Sequence, residues 1–381
     1  MVKRKLSNPV AFLGLLCALV ACAGIYQTGL GGPLVLDDPI NLEDITRFLD
    51  GEKTAWAVIT DNRSGPLGRP ISMATFVVDA VVWGDSTWHA KRTNLVIHIA
   101  TGLLVFALFR LVLTRARFSR VAVIIGAVTA ASIWLLHPIN VSTVLYLVQR
   151  MAQLSALFMI LGLVVFVLAR QRIDEDQTSG HLMLWLAVPL ITIAAVLSKE
   201  NGILLPFLAY GLEQTLFRGT DSAKSRSVRL FFVFTLFVPL ILGLLWILLS
   251  PERFVGGYGL RDFGLWERLM TQTRVLWSYV FAIIIPQVDL YGIFQDDYVV
   301  SRGLLDPFTT IVSLLSWVVI IFFAWLQRNQ IPLLAAGLWL FLGGQLVEST
   351  ILPLEIYFEH RNYFSALGLW MALIGIGDYA Y

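Results

Sequence analysis

The sequence predicts an all-α, polytopic membrane protein, and three observations lead to this fold class. The chain has 381 residues, of which 57% are hydrophobic and only 14% are charged. Its mean hydropathy of +0.75 is higher than that of a water-soluble domain of this length. The apolar residues fall into about ten runs, each near the ~20 residues that a spanning helix requires. Because the lipid interior offers no partners for backbone polar groups, each run is expected to be helical.

The ten predicted transmembrane helices follow these apolar runs in order. They are expected at 8–29, 93–113, 121–137, 145–169, 181–198, 201–217, 230–250, 309–326, 331–347 and 363–379. Segments 42–59 and 71–83 are predicted to be amphipathic helices on the outer membrane surface, and 264–285 an interfacial or re-entrant helix. The chain shows no internal repeat and no low-complexity linker, so residues 1–381 are expected to form a single integral-membrane domain.

Basic residues orient the predicted topology. If the helices alternate from a cytoplasmic N-terminus, the arginine-rich and lysine-rich loops fall on the inner side, as the positive-inside rule requires. These basic positions are Lys3, Arg4, Lys5, Arg115, Arg117, Arg120, Arg170, Arg172, Arg218, Lys224, Arg226, Arg229 and Arg328. The outer side then receives two long loops, about 30–92 and about 251–308, and the shorter segment 348–362.

Several classes of function lack support in the sequence. The net charge is +2, which gives no reason to expect a nucleic-acid partner. Cys17 and Cys22 both lie in the first apolar run, so they cannot build a disulfide framework or a zinc site. Neither a phosphate-binding glycine loop nor a zinc-binding H-E-x-x-H motif occurs. The D-x-D pattern at Asp174 and Asp176 is interpreted as part of a solvated inner loop.

Ionisable and polar residues gather near the outer ends of the predicted helices. They are Asp37, Asp38, Arg69, Lys91, Arg92, His98, His137, Gln149, Arg150, Lys199, Glu200, Asp289, Asp296, Asp297, Arg302, Glu348, Glu355, Glu359, His360 and Arg361. Charges at membrane depth are costly and usually mark a cavity, a partner or a functional site. A functional interpretation is favoured for Arg150 and for the Lys199-Glu200 pair, whereas Lys91 and Arg92 are expected to extend to the headgroups.

The residue types at the outer face predict different chemical roles for the arginines and the aspartates. An arginine fork binds phosphate oxygens, so Arg69, Arg150 and Arg361 are candidate contacts for an anionic leaving group. A carboxylate can accept a proton from an incoming hydroxyl, and Asp37 or Asp38 is placed for that role. The two aspartates can instead bind a divalent cation, or they can simply cap a helix or a tight turn.

Several sequence blocks resemble those of a known family. The blocks are GRPISMATFVVDAVVWG, TNLVIHIATGLLVFALFRLV, HPINVSTVLYLVQRMAQLSALF, LSKENGILLPFLAYGLE and FEHRNYFSALGL. Together with the acidic pair at Asp37 and Asp38, they resemble the C-superfamily (GT-C) glycosyltransferases. The resemblance is to the membrane part of the transmembrane and tetratricopeptide-repeat O-mannosyltransferases and their bacterial relatives, and the blocks cover most of the chain in order.

The resemblance implies a function and a set of site residues. Such enzymes take a sugar from a polyprenyl-phosphate or polyprenyl-diphosphate carrier at the lumenal or periplasmic face, and an acidic residue of the first loop acts as base. By this resemblance, Asp37 or Asp38 is the catalytic residue, and a divalent cation is possible but no cofactor is certain. The implied donor-phosphate contacts are Arg69, Arg150, Lys199 and Arg361. The implied supporting residues are His98, His137, Gln149, Glu200, Glu359 and His360.

Two departures from the family pattern shape the prediction. Lys91 stands where the family's His-x-x-Asn-x-x-x-His pattern has its first histidine, although Asn94 and His98 are kept. No tetratricopeptide repeats follow the last predicted helix, which points to a stand-alone bacterial inner-membrane enzyme or a truncated chain. The expected acceptor is a protein such as a pilin, or a glycan or lipid, and nucleic acid is not expected.

Two other interpretations stay open from the sequence. A transporter or flippase of an anionic glycolipid could use the same arginines and lysine. Such a protein usually contains inverted repeats with interrupted helices near the bilayer midplane, and the sequence shows neither. A structural subunit of a membrane complex would leave the buried charges without a role.

Overall fold

The computed structural model describes residues 3–62, 64–219, 225–287, 291–292 and 297–379. Within these ranges the chain is helical and contains no strand, as the fold-class prediction requires. The chain divides into two compact units, Met1–Leu205 and Pro206–Tyr381. The candidate residues Asp289 and Asp296 lie outside the described residues, as does the basic position Lys224.

The first unit begins with a long apolar helix and continues through short helices to three long ones. Its helices are α1 (Lys3–Gln27), α2 (Asp38–Leu49), α3 (Ala55–Thr60), α4 (Pro70–Trp83), α5 (Thr87–Arg115), α6 (Arg120–Leu136), α7 (Val141–Leu145), α8 (Arg150–Asp174), α9 (Thr178–Leu182) and α10 (Val188–Ser198). A π-helical turn, Met183–Ala187, joins α9 to α10 just before Pro189. Because proline lacks a backbone N–H, a wider turn next to it accommodates the missing helical hydrogen bond.

The second unit holds the remaining helices. They are α11 (Leu205–Leu216), α12 (Arg226–Phe232), α13 (Val238–Leu249), α14 (Glu252–Val255), α15 (Leu265–Ile284), α16 (Thr309–Leu326), α17 (Pro332–Gln345) and α18 (Asn362–Tyr379). Helices α17 and α18 pack backbone to backbone through glycines. A Cβ atom at Gly368 would lie 2.4 Å from the Phe341 nitrogen, so only glycine fits this contact.

Among the described residues, five helices are long and apolar enough to cross a membrane. They are Thr87–Arg115, Leu147–Asp174, Thr178–Ser198, Arg226–Leu249 and Thr309–Asn329. A sixth span results if Arg120–Leu136 and Pro138–Leu145, which meet at a bend of 51°, are taken together. These helices are consistent with a multi-pass membrane protein.

The prediction of about ten spans is not confirmed, and helix length gives the reason. The apolar run at 201–217 yields an α-helix of only 12 residues, and the run at 331–347 yields one of 14 residues. At a rise of ~1.5 Å per residue, such helices are shorter than the ~30 Å hydrocarbon core. The run predicted as one helix from 145 is also interrupted, because the α-helix begins only at Arg150.

The three additional predicted segments do contain helices. Segment 42–59 overlaps α2 and α3, which are separated at Gly51, where φ is +78°. Segment 71–83 corresponds to α4, and 264–285 corresponds to α15, which ends just before Pro286. Their placement at a membrane surface stays a prediction.

Candidate functional site

Asp37 and Asp38 are neighbours in sequence but lie in opposite environments. The Asp38 carboxylate is fully buried and accepts hydrogen bonds from three backbone N–H groups. These donors belong to Val35 at 3.1 Å, Leu147 at 3.4 Å and Val148 at 2.7 Å. Burial raises the pKa of Asp38, while the three N–H groups and the ammonium of Lys91 oppose that rise. Asp38 therefore ties the start of α2 to the segment before α8.

Asp37 is an exposed residue. Its backbone N–H donates to the Tyr146 hydroxyl over 2.9 Å, which fixes the main chain at the start of α2. Its side chain makes no capping hydrogen bond to the helix. Of the two aspartates, Asp37 is therefore the exposed one and Asp38 the buried one.

Lys91 holds the chain just before these aspartates. The Lys91 ammonium is 2% exposed and donates to the backbone oxygens of Gly32 and Pro33, each at 2.9 Å. The prediction that Lys91 extends to the lipid headgroups is therefore wrong, because the loop at Gly32 and Pro33 supplies acceptors closer to the helix. Arg92 instead lies over the rings of Trp83 and Trp88, at 4.8 and 5.4 Å.

Arg150 is fully buried, and each of its three guanidinium nitrogens has a partner. The Nη2 atom forms a 2.6 Å ion pair with Asp79 and donates to the Ala90 oxygen, and Nε donates to Asn94 over 2.7 Å. Nη1 lies 3.5 Å from the Thr75 hydroxyl. The guanidinium thus links α4, α5 and α8 within the protein.

Arg69 and Glu200 form a second ion pair, which is partly exposed. Arg69 donates to Glu200 Oε2 through Nε at 3.1 Å and through Nη2 at 2.9 Å. Its side chain is 18% exposed and that of Glu200 is 23% exposed. The remaining nitrogen, Nη1, faces the Met151 sulfur at 3.3 Å, and a thioether is a weak acceptor.

The local backbone explains how this pair is positioned. Arg69 has left-handed geometry at φ 51°, a strained conformation for a residue with a side chain, immediately before Pro70 starts α4. A Cβ atom at Gly65 would lie 2.0 Å from Glu200 Oε1, so a side chain at this position would displace the Glu200 carboxylate from this geometry. Lys199, which precedes Glu200, is buried and ends α10.

The other predicted residues of the first unit occupy helix junctions. His98 is buried, with its Nε2 3.0 Å from the Leu135 oxygen and its ring against Trp134. His137 ends α6, and its Nδ1 accepts from the Ile139 N–H at 3.2 Å. Gln149 immediately precedes α8.

These contacts converge on one short segment, residues 146–151, which we name the junction. Within it, the Tyr146 hydroxyl binds Asp37 and the backbone binds Asp38. The Arg150 guanidinium binds Asn94 and Asp79, and the Met151 thioether faces Arg69. The junction therefore contacts both the backbone of the exposed residue Asp37 and the partly exposed side chain of Arg69. It lies within the HPINVSTVLYLVQRMAQLSALF block of the sequence.

The predicted residues of the second unit surround a different segment, residues 348–358, which we name the loop. The Arg361 guanidinium donates to the Glu355 and Ile356 oxygens at 2.6 and 2.9 Å and lies 3.7 Å from the Glu348 carboxylate. Glu359 accepts from the Gly292 N–H at 2.8 Å. His360 stacks on Phe358 with ring centroids 5.0 Å apart.

Arg268 is the main support of the loop. Its fully buried guanidinium donates to backbone oxygens along the loop, which belong to Glu348, Thr350, Leu354 and Glu355. Burial lowers the pKa of Arg268 to about 10, so the group remains charged at neutral pH. From the same helix, Gln272 and Tyr279 bond the backbone of Ile356 and Phe358.

Sequence reasoning missed two of these structural residues. Asp79 is a single acidic residue inside the apolar stretch TFVVDAVVW, and an isolated charge of this kind predicts a buried partner. Tyr146 gave no such signal, since an aromatic residue near a helix end is ordinarily an interfacial one.

Metal binding gains no support from the described part of the chain, where no three His, Cys, Asp or Glu residues group together as a metal site. Asp174 of the D-x-D pattern pairs with Arg115 at 3.3 Å and Arg170 at 3.5 Å. This carboxylate therefore has a structural ion-pairing role at the C-terminal end of α8.

Comparisons with protein-family models, curated proteins and solved structures found no match for this chain. The fold and the site therefore define a class of protein rather than a family. The class is an all-helical chain with several helices able to cross a membrane and a polar site built on a helix junction.

Proposed function

We propose that this chain is a membrane glycosyltransferase that moves a sugar from a polyprenyl-phosphate-type carrier to an acceptor hydroxyl at the periplasmic or lumenal face. The observation that supports this most directly is the junction. Its Tyr146 hydroxyl accepts the backbone N–H of the exposed residue Asp37, and its Met151 sulfur faces the partly exposed Arg69 guanidinium. These are the two groups that the reaction needs, an acceptor base and an anion contact.

Asp37 acts as the catalytic base in this proposal. Its exposed carboxylate accepts the proton of the acceptor hydroxyl as that oxygen bonds to the anomeric carbon of the sugar. The bond between this carbon and the phosphate oxygen breaks, and the carrier phosphate leaves with the electron pair. Asp38 positions Asp37, because its buried carboxylate anchors the helix start to Leu147 and Val148.

Arg69 binds the leaving phosphate in this proposal. Its Nη1 faces only the weakly accepting Met151 sulfur in the structure, and a phosphate oxygen is a far stronger acceptor. Glu200 fixes the direction of the guanidinium, and Lys199 next to it adds positive charge. A cationic contact of this kind stabilises the charge that develops on the phosphate as the sugar departs.

Arg150 and Arg361 receive positioning roles instead of phosphate contacts. Internal acceptors engage all three nitrogens of Arg150, and Arg361 is bound to the backbone of Glu355 and Ile356. His98, His137 and Gln149 support helix ends near the junction, while Glu359 and His360 border the loop. We also propose that the shorter apolar helices complete a ten-span topology with a cytoplasmic N-terminus in a bacterial inner membrane.

The test is sugar transfer by purified protein. Wild type and Asp37→Asn are incubated in detergent with a set of polyprenyl-phosphate sugars and candidate acceptors, namely pilin-type protein, glycan and lipid. We expect Asp37→Asn to lose about 10²–10⁴-fold in transfer rate, the usual contribution of a general base. Glu43→Gln removes an exposed carboxylate from the same helix and is the matched control, which should keep the wild-type rate.

The same preparation distinguishes the transporter alternative. Protein in liposomes that moves an intact lipid-linked sugar across the bilayer, without transferring the sugar, would support the flippase interpretation. Equal transfer rates for wild type and Asp37→Asn would remove Asp37 as the base.

A further inference from the structure

A cavity of about 450 Å³ opens between α1, α5 and α6 in the first unit. Its apolar walls include Phe12 and Leu15 of α1, Phe106 of α5 and Ile124 of α6. Arg110 of α5 and Arg120 at the start of α6 also line it. The cavity thus combines a hydrocarbon-like wall with two cationic groups.

The two arginines lack acidic partners among the residues that the structure describes. Arg110 and Arg120 are both exposed, and neither forms an ion pair with a described carboxylate. By contrast, Arg115, the last residue of α5, lies between them in the sequence and pairs with Asp174 at 3.3 Å. Two guanidinium groups without carboxylate partners beside one cavity can bind an anion, and a membrane supplies one as a lipid phosphate.

The cavity is remote from the proposed active site. Arg110 follows Lys91 by 19 positions on the continuous helix α5, and Lys91 holds the chain next to Asp37 and Asp38. At ~1.5 Å per residue these two positions are about 28 Å apart, close to the thickness of the hydrocarbon core. The cavity and the active site therefore lie at opposite ends of α5.

We infer that this cavity binds an anionic phospholipid, with its phosphate held between Arg110 and Arg120 and an acyl chain against Phe12, Phe106 and Ile124. A soluble anion would gain nothing from the apolar walls. A zwitterionic headgroup carries its own cation beside the phosphate, so it offers the two guanidinium groups no net negative charge. Basic clefts between membrane helices are sites where anionic headgroups bind.

The proposed contact between the lipid phosphate and the two arginines is tested by lipid binding to the intact 381-residue chain. Delipidated protein in detergent is titrated with phosphatidylglycerol and with phosphatidylcholine, and bound lipid is counted by native mass spectrometry. We expect preference for phosphatidylglycerol, and the double variant Arg110→Gln/Arg120→Gln should weaken its binding at least about tenfold. Arg117→Gln/Arg172→Gln removes two exposed charges that do not line the cavity and should keep wild-type binding.

The proposed contact between the acyl chain and the apolar wall is tested with substitutions at two neighbouring residues. Ile124 lines the cavity, whereas the next residue, Ile125, is exposed on α6 and does not line it. Ile124→Trp should fill the cavity and reduce phosphatidylglycerol binding, and Ile125→Trp should not. Equal affinity for the two lipids would overturn the inference, as would equal effects in each matched pair of variants. Because the readout is lipid binding, its failure is distinguishable from a failure of the glycosyltransferase proposal.

Discussion

The junction at 146–151, which leads into α8, and the irregular loop at 348–358 are each held by a buried arginine, but the arginines bind different partners. In the junction, Arg150 meets the carboxylate of Asp79 and the amide oxygen of Asn94. In the loop, Arg268 meets a series of backbone carbonyls. Arg150 neutralises a buried charge, whereas Arg268 satisfies acceptors that an irregular backbone leaves without helical donors. Arginine thus stabilises the two segments by two different mechanisms. Substituting each arginine in turn should distinguish these mechanisms.

The largest effect is expected for Arg150→Met, which leaves Asp79 buried without a cation. Removing one member of a buried ion pair typically costs about 3–5 kcal/mol of unfolding free energy. The loss is measured by reversible unfolding in mixed detergent micelles. The double variant Arg150→Met/Asp79→Asn should recover part of this loss, because no uncompensated charge then remains. A double variant as unstable as the single one would contradict the charge mechanism.

A smaller effect is expected for Arg268→Met. The carbonyls that lose their donor carry no net charge, so the cost should be about 1–3 kcal/mol. Hydrogen exchange should increase mainly in residues 348–358 and much less at the junction. If exchange increased equally in both segments, the assignment of Arg268 to the loop would be wrong.

Arg69→Gln should affect stability least among the three arginine substitutions. The Arg69–Glu200 pair is partly exposed, and such pairs contribute about 0–1 kcal/mol. Sugar transfer should nevertheless fall strongly, because the proposed phosphate contact is lost. Thermal melting and transfer rate are measured on the same preparation. A large loss of melting temperature with retained activity would assign Arg69 to the framework instead.

The pH dependence of stability should report on Asp38. Burial raises its folded-state pKa above the unfolded value, so the folded chain binds the proton more tightly. The contribution of Asp38 to stability is therefore full below the unfolded pKa and declines as pH rises through the folded pKa. The stability difference between wild type and Asp38→Asn should shrink over that window in an unfolding titration. A difference that is constant with pH would show that the pKa of Asp38 is not shifted.

Much of the helical framework follows from the sequence, but the ends of the helices do not. The run at 230–250 predicts the helical region Arg226–Leu249, because the run is long, carries no charge and is composed almost entirely of apolar residues. The run at 145–169 also predicts one helix, yet the residues before Arg150 leave the α-helix and present backbone N–H groups to Asp38. These N–H groups give up helical hydrogen bonds in order to bind Asp38, which lies more than a hundred positions earlier in the chain. A local sequence pattern cannot reveal such a distant contact.

By itself, the sequence determined the helical class and the residue types available for chemistry, because apolar run length and ionisable spacing are local properties. The tertiary structure decided which ionisable groups are exposed and which are paired. Asp37 and Asp38 have the same side chain, but only Asp38 reaches the backbone of Leu147 and Val148. Arg69 and Arg150 were both candidates for a phosphate contact, and Asp79 together with Asn94 makes Arg150 an internal partner. Pairing depends on helices that meet in space, and that is the physical reason why the fold was needed to separate these roles.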